Sequence, residues 1–281
     1  MSILLAAVGD LHIGSTVGLC PRRVELDDGG TYEPSKSQRW LLECWQDYWQ
    51  QVKDRKREKT RGVPLLQKKT RVVALLNGDL ADRNRHSKYQ LVTINRAVIQ
   101  RMMVDVLEPL LAIADAIIVV RGTEAHVGGS SEMEEWLAAD IDAVGDDHCG
   151  TASWWCWEAT LEGVNVVAAH HPGTNSGRPW TRGGGANRAA AIVMDNYYGE
   201  TWQPDLAIFN HVHHNEDSFD NHPVRAIFNR SFSLRTAYDH RSGRSLQASV
   251  IGGLIAEIKD GALDVDKLPY TLPRRKPWKL V

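Results

Sequence analysis

Several things are missing from this sequence. No apolar run approaches the ~18 residues that a membrane-spanning helix needs. The run Ile3–Val8 is short, has no basic leader and ends in Gly-Asp, which fits neither a signal peptide nor a span. The four cysteines, Cys20, Cys44, Cys149 and Cys156, form no C-x-x-C pair, which argues against a structural zinc site or a disulfide framework and for a reducing interior. The protein is therefore expected to be soluble and cytoplasmic, with no membrane partner. Net charge is close to zero, at −2, so no global field draws the chain towards nucleic acid. Internal repeats and low-complexity tracts are absent as well, which excludes solenoids and flexible tails. What is present is 281 residues, 43% of them hydrophobic, enough for a substantial core.

Short apolar runs alternate with segments of helical periodicity. Ile3–Val8, Val72–Leu76, Ala116–Val120, Val164–Ala169 and Leu206–Phe209 read as buried strands, each ending at a polar cluster. Helical spacing covers Trp40–Val52, Leu91–Ala114, Met133–Val144 and Ala186–Tyr197. The C-terminal part, about 224–281, is strand-rich: Val224–Ser231 and Ser249–Ile258 precede Lys259-Asp260-Gly261, a hairpin turn. This order implies an α/β fold, a single domain over 1–281 with helices covering sheet faces. Residues 13 to 70 form an unusually long excursion, helical and basic over about 18–70; from Lys53 to Arg71 it carries nine Lys or Arg against two acids. The loop Gly173–Ala186 holds Arg178, Trp180, Arg182 and five glycines, and the tail Arg274–Lys279 is basic again.

The chemistry gathers just beyond the strand ends, the edge at which open α/β sheets bind ligands. In order come Gly9-Asp10-Leu11-His12, Asn77-Gly78-Asp79-Leu80-Ala81-Asp82-Arg83, Gly122-Thr123-Glu124-Ala125-His126, Ala169-His170-His171-Pro172 and Asn210-His211-Val212-His213-His214. Each piece alone is weak. D-x-H occurs three times, at Asp10/His12, Asp146/His148 and Asp220/His222, where about one chance copy is expected. The signal is the series of five. At a strand end, i and i+2 side chains point the same way, so Asp10 with His12 and His211 with His213 could each grip an ion. Mixed carboxylate and imidazole donors suit Mn, Fe, Zn or Ni better than Ca or Mg. Asp79 could bridge two ions, and ions ~3.5–4 Å apart can activate a bridging hydroxide and clamp a phosphoryl group for in-line attack.

D-x-H, G-D-x-x-D-R, a Gly turn followed by His, a strand-end His and x-H-x-H, in this order over residues 3 to 214, resemble the calcineurin-like metallophosphoesterases. G-T-E-A-H-V-G, H-H-P-G and R-P-W-T-R resemble the phage and prophage members of that family. The resemblance implies a sandwich of two mixed β-sheets flanked by helices and a pair of divalent transition-metal ions, manganese first among them. Asp10, His12, Asp79 and His213 would hold one ion, and Asp79, His170 and His211 the other. His126 would be the catalytic imidazole at the leaving oxygen, Asp82 the acid orienting it, and Arg83 a phosphate-contacting guanidinium. The family's Gly-Asn-His is altered here. Thr123 is the positional substitute for that Asn and Glu124 the chemical one, and a carboxylate is the stronger metal ligand, which favours Glu124.

The bland readings stand beside these. His86, His148, His222 and His240 read as structural, and His171 and His214 as neighbours behind the ligands or on the surface. Asp82 could instead cap a helix, and Arg83 could be an ion-pair partner. The basic segment 53–71 reads as a solvated face first and a phosphate-backbone surface second. Arg178 and Arg182 could close over a phosphate from their glycine-rich loop. Trp154, Trp155 and Trp157 read as packing a strand on both faces. The function implied is phosphoester hydrolysis, with phosphodiesters of nucleic acid, DNA or RNA, or of nucleotides favoured. A phosphomonoesterase and a degenerate nucleic-acid-binding member are the alternatives.

Overall fold

The computed structural model describes residues 2–60, 70–83, 90–174, 181, 183–241 and 249–273. In chain order the elements are β1 (Ser2–Val8), β2 (Val24–Glu25), β3 (Thr31–Tyr32), α1 (Lys36–Thr60), β4 (Thr70–Asn77), α2 (Arg96–Leu111), β5 (Ala116–Val120), α3 (Glu124–Val127) and α4 (Glu132–Asp140). They continue with β6 (Cys156–Leu161), β7 (Val164–Ala169), α5 (Gly184–Asn196), β8 (Leu206–Phe209), β9 (Glu216–Asp217), β10 (Arg225–Phe228), α6 (Ala237–Arg241), β11 (Val250–Lys259) and β12 (Ala262–Thr271).

Two five-stranded mixed sheets form the body, one ordered β12-β11-β1-β4-β5 and the other β6-β7-β8-β10-β9. In the first, β1, β4 and β5 run parallel while β11 and β12 are antiparallel to their neighbours. In the second, β7, β8 and β10 are parallel and β6 and β9 close the edges antiparallel. Alternation along each strand explains why the strands read as unbroken apolar runs: both faces are covered. Ile3, Leu5 and Ala7 of β1 face Val166, Ala168 and Ile208 of the other sheet, whereas Leu4, Ala6 and Val8 face the helices. The outer face of the first sheet is covered by α1, α2 and α4, and that of the second by α5. The result is the two-sheet sandwich flanked by helices implied by the sequence.

The long helix α1 is anchored by its aromatic stripe. Trp45 donates its indole N–H to the Val106 carbonyl of α2 at 2.8 Å, and Tyr48 donates to the Leu254 carbonyl of β11 at 2.7 Å. Trp45 also meets Phe232 edge to face. The C-terminal hairpin turns on Asp260 and Gly261, both with positive φ (51° and 81°), as a two-residue turn matched to strand twist requires. The SWWCW segment departs from the sequence reading. Trp157 is buried between the sheets and Trp154 half-buried, but Trp155 is 60% exposed because it precedes β6 at the open sheet edge.

Candidate metal centre

The candidate residues sit where parallel strands end: Asp10 and His12 beyond β1, Asp79 and Asp82 beyond β4, Thr123 to His126 beyond β5, His170 beyond β7, and His211 and His213 beyond β8. Strand pleating is not what aims the Asp10/His12 and His211/His213 pairs, contrary to the sequence reading. Both pairs have left the strand, and five of these residues have positive φ: Asp10 (52°), His12 (48°), Asp79 (51°), His211 (70°) and His213 (57°). The left-handed conformation costs an L-residue about 1–2 kcal/mol, so its concentration here points to function. The first two turns brace one another. Asp10 N donates to the Gly78 carbonyl at 2.9 Å, His12 N to the Asp79 carbonyl at 3.0 Å and Ile13 N to the Leu80 carbonyl at 3.0 Å.

Four overlapping triads result, in each of which the ligand atoms lie within 4.8 Å of one another: Asp10/His12/His213, Asp10/Asp79/His170, His12/Asp79/His126 and His170/His171/His211. His213 Nε2 is 3.3 Å from Asp10 Oδ1 and 3.2 Å from His12 Nε2, and His170 Nε2 is 3.1 Å from Asp79 Oδ2. Asp10 and Asp79 each belong to two triads, the arrangement a pair of ions sharing carboxylates would need. The outer atoms are already held. Asp10 Oδ2 accepts from the Asn210 side chain (3.0 Å) and the His211 amide (3.1 Å). His170 Nδ1 lies 2.8 Å from the Asn77 carbonyl, which can only accept, so that nitrogen carries the proton. Asp10 Oδ1 and His170 Nε2 thus face inward and are buried, met there by His213 at 3.3 Å and by Asp79 at 3.1 Å. Buried carboxylate and imidazole atoms crowded this closely fit a transition-metal ion.

Electrostatics agree with the geometry. Burial by itself would raise both carboxyls, yet His213 and His170 hold Asp10, and His170 and His126 hold Asp79, well below the ordinary carboxylate range. Reciprocally, against the pull of burial, the Asp79 and Asp10 charges push His170 up to about 10. His12 is driven down to about 3 by burial and by neighbouring His126 and His213, and His211 to about 4 by burial with His171 and His170. The carboxylates call for positive charge, which the His170 proton supplies here and a metal ion would replace, while His12 and His211 are already neutral lone-pair donors, the protonation state that a metal ligand must have.

The remaining candidates divide. His126 Nδ1 is 3.2 Å from Asp82 Oδ1, its Nε2 is 3.9 Å from Asp79 Oδ2, and its ring meets that of His12 edge to face at 4.4 Å. Thr123 donates its hydroxyl to Asp79 Oδ1 at 2.9 Å and its amide to the same oxygen at 2.6 Å. Glu124, favoured as ligand by the sequence, opens α3 with an exposed side chain and belongs to none of the four triads. The chain turns helical at this residue and carries its carboxylate outward. Arg83 donates its amide to the His126 carbonyl at 3.1 Å, but its guanidinium pairs with Glu132, which also pairs with Arg96. His214 is engaged with Glu216 at 2.9 Å and the Val212 carbonyl at 2.7 Å. Arg178 and Arg182 lie outside the described residues, as do 61–69 of the basic segment. In its described part, Lys56 and Lys59 pair with Asp115 and Glu257 towards the ends of the strands opposite the site, and Arg55 pairs with Asp266 on the edge strand β12.

Glu134 was missed by the sequence reading. Fully buried on α4, it accepts from the amides of Leu80 and Gly122 and so ties the second and third loops together beneath the site. Burial and the Asp79 charge push it up to about 8 in spite of those two N–H groups. A signal existed: Glu134 shares a helix face with apolar Leu137 and Ala138. Gly122 admits this packing, because a β-carbon there would lie 2.2 Å from the Asp79 amide nitrogen.

No protein-family model matches the chain, and no curated protein matches its sequence. Among solved structures, a dimetal phosphatase from Danio rerio is similar at 9% identity and TM-score 0.47, covering 96% of this chain and 98% of that one. Vacuolar Protein Sorting 29 from Cryptosporidium parvum is similar at 11% identity and TM-score 0.36 (96% and 99% covered), and Vps29 from Chaetomium thermophilum at 12% and 0.39 (96% and 98%). Likenesses at these scores carry no argument, and the chemistry rests on the site's own geometry. No helix among the described residues is long and apolar enough to cross a membrane.

Proposed function

We propose that this protein is a metal-dependent phosphoester hydrolase of the calcineurin-like type, acting on phosphodiesters through two divalent transition-metal ions, manganese first among the candidates. The observation that carries the reading is the convergence of carboxylate and imidazole atoms from five strand ends, with the side chains of Asp10, His12, Asp79 and His170 buried among them. Asp10, His12, Asp79 and His213 would hold one ion, and Asp79, His170 and His211 the other. When bound, such ions polarise the phosphoryl group and activate water for in-line attack. Asp82 fixes the His126 ring through Nδ1, leaving Nε2 on the site side to carry the proton that a leaving oxygen needs. Thr123 holds Asp79 in position and Glu134 spaces the two loops that carry them.

Two observations favour a diester with a nucleobase over a monoester. Arg83 is already engaged by Glu132, which leaves it poorly disposed to balance a monoester's second charge. Trp155 stands exposed where the chain passes from its Trp154 bridge to Val120 of β5 into β6, with the Arg121 guanidinium 4.9 Å from its ring. An exposed indole there is a platform on which a base can stack. The phage-type reading rests on sequence motifs alone. Bis(4-nitrophenyl) phosphate and 4-nitrophenyl phosphate, each with Mn²⁺, test the proposal: the diester should be cleaved the faster. Monoester preference by orders of magnitude would make it a phosphatase. One bound metal with no turnover of either ester would make it a binding protein.

A further inference from the structure

Arg230 stands apart from the other arginines packed into the body of the described structure. Arg83 meets Glu132, Arg121 meets Glu135 and Arg225 meets Asp217, each within salt-bridge distance. Among the described residues, no carboxylate lies within salt-bridge distance of Arg230. Its side chain is partly buried and its Nη1 is wholly buried with no hydrogen-bond partner. Burial pulls the guanidinium below its usual value with nothing acidic to offset it, although an arginine remains charged at any working pH. Leaving a charged donor buried and unmet is costly, so it is retained where a ligand completes it.

Its place in the fold identifies that ligand. Phe228 of β10 pairs with Phe209 of β8, and Asn229 N extends the pairing by donating to the Phe209 carbonyl at 2.7 Å. The next residues in line are Arg230 and His211. The Arg230 carbonyl accepts from Asn210 Nδ2 at 3.4 Å, and the same amide group donates to Asp10 Oδ2. Two residues on, Phe232 N donates to the Gly9 carbonyl at 3.1 Å. Arg230 therefore lies beside the candidate metal centre, on its His211 side, with its backbone tied to the residues that hold Asp10. We infer that Arg230 is a substrate-binding residue, donating to the non-bridging oxygens of the phosphoryl group that the metal centre would attack. A forked guanidinium suits phosphate better than a point charge. The inference rests on the phosphoesterase reading and adds a residue to it.

The probe is inorganic phosphate, titrated calorimetrically into the full-length Zn²⁺-loaded protein and into R230M, R230Q and R230K, with zinc content and melting midpoint measured on each preparation. R230M should bind phosphate about 10- to 100-fold more weakly and raise KM on bis(4-nitrophenyl) phosphate, with zinc content unchanged. R230K should recover part of the affinity because it keeps the charge and loses the fork. Should R230M fail to fold, R230Q must show the same loss. Wild-type phosphate affinity in the folded neutral variants overturns the assignment of Arg230 and leaves the phosphoesterase reading intact. Wild-type protein that binds zinc and phosphate but cleaves no ester when loaded with Mn²⁺ overturns that reading while the assignment stands.

Discussion

The two ends of the central strands carry charge in opposite ways. Towards their N-terminal ends Lys56 pairs with Asp115 at 2.7 Å and Lys59 with Glu257, Asp115 also accepts the Val72 amide, and Arg55 pairs with Asp266 further along. At their C-terminal ends, about 25 Å away for strands of this length, carboxylates and imidazoles crowd together, with Asp10 Oδ1 3.3 Å from His213 and His170 Nε2 3.1 Å from Asp79. The sequence makes the first region the more conspicuous, with nine basic residues in one stretch. Yet where the structure describes it, those charges clasp a helix to a sheet. Density of charge marks a surface; carboxylates and imidazoles converging in burial mark a site.

That contrast can be broken by substitution. Asp79→Asn should have the largest effect, since it removes a carboxylate shared by two triads. Metal stoichiometry should fall and kcat/KM on a diester should drop by about 10³-fold or more, read by metal analysis and steady-state kinetics. A variant with full metal content and activity would place the site elsewhere. Acid should act next. His12 and His211, at about 3 and about 4 in the folded protein against an ordinary 6.5, take up protons on unfolding. Their contribution to stability is therefore complete above about 6.5 and is lost as pH falls towards 3. Melting midpoints of metal-free protein should decline across that window, and bound metal should leave in it, because protons and metal compete for the same nitrogens. Thr123→Ala should weaken metal binding about 10-fold by freeing Asp79, whereas Glu124→Gln should change it less than about 2-fold. Isothermal titration of the two variants decides between them, and the reverse order would restore Glu124 as a ligand. Lys59→Ala at the paired end should shift stability by less than about 1 kcal/mol with activity unchanged, as a denaturation curve and a diester assay would show.

Much of this was legible in the chain. Strands buried on both faces leave continuous apolar runs, and β5, β7 and β8 begin and end at the residues expected. The helix over Trp40–Val52 was recognised from its apolar stripe but extends to Lys36–Thr60, because polar residues at its ends make hydrogen bonds and ion pairs that periodicity does not report. The site was legible as a series of polar strand ends. What a linear pattern could not give was direction. Thr123 and Glu124 are adjacent, and only the onset of α3 decides which side chain turns to Asp79. Glu134 and Arg230 lie outside the motifs and reach the site through helix α4 and the extension of β10. Their common signal is a charge in a packed environment, hinted at for Glu134 by its apolar helix face and for Arg230 visible only once burial is known.

The left-handed turns at Asp10, His12, Asp79, His211 and His213 also bear on time. Each holds its residue against its own backbone preference, and together they amount to about 5–10 kcal/mol of local strain, comparable to the net stability of a whole domain. Turns so loaded are poised to open ahead of the sheets that carry them. Stripped of ions, the protein should therefore exchange the amide hydrogens of these loops early and those of β1, β4 and β8 late. Rebinding metal should slow the loops most, so that the centre sets the tempo of the molecule's motion as well as its chemistry.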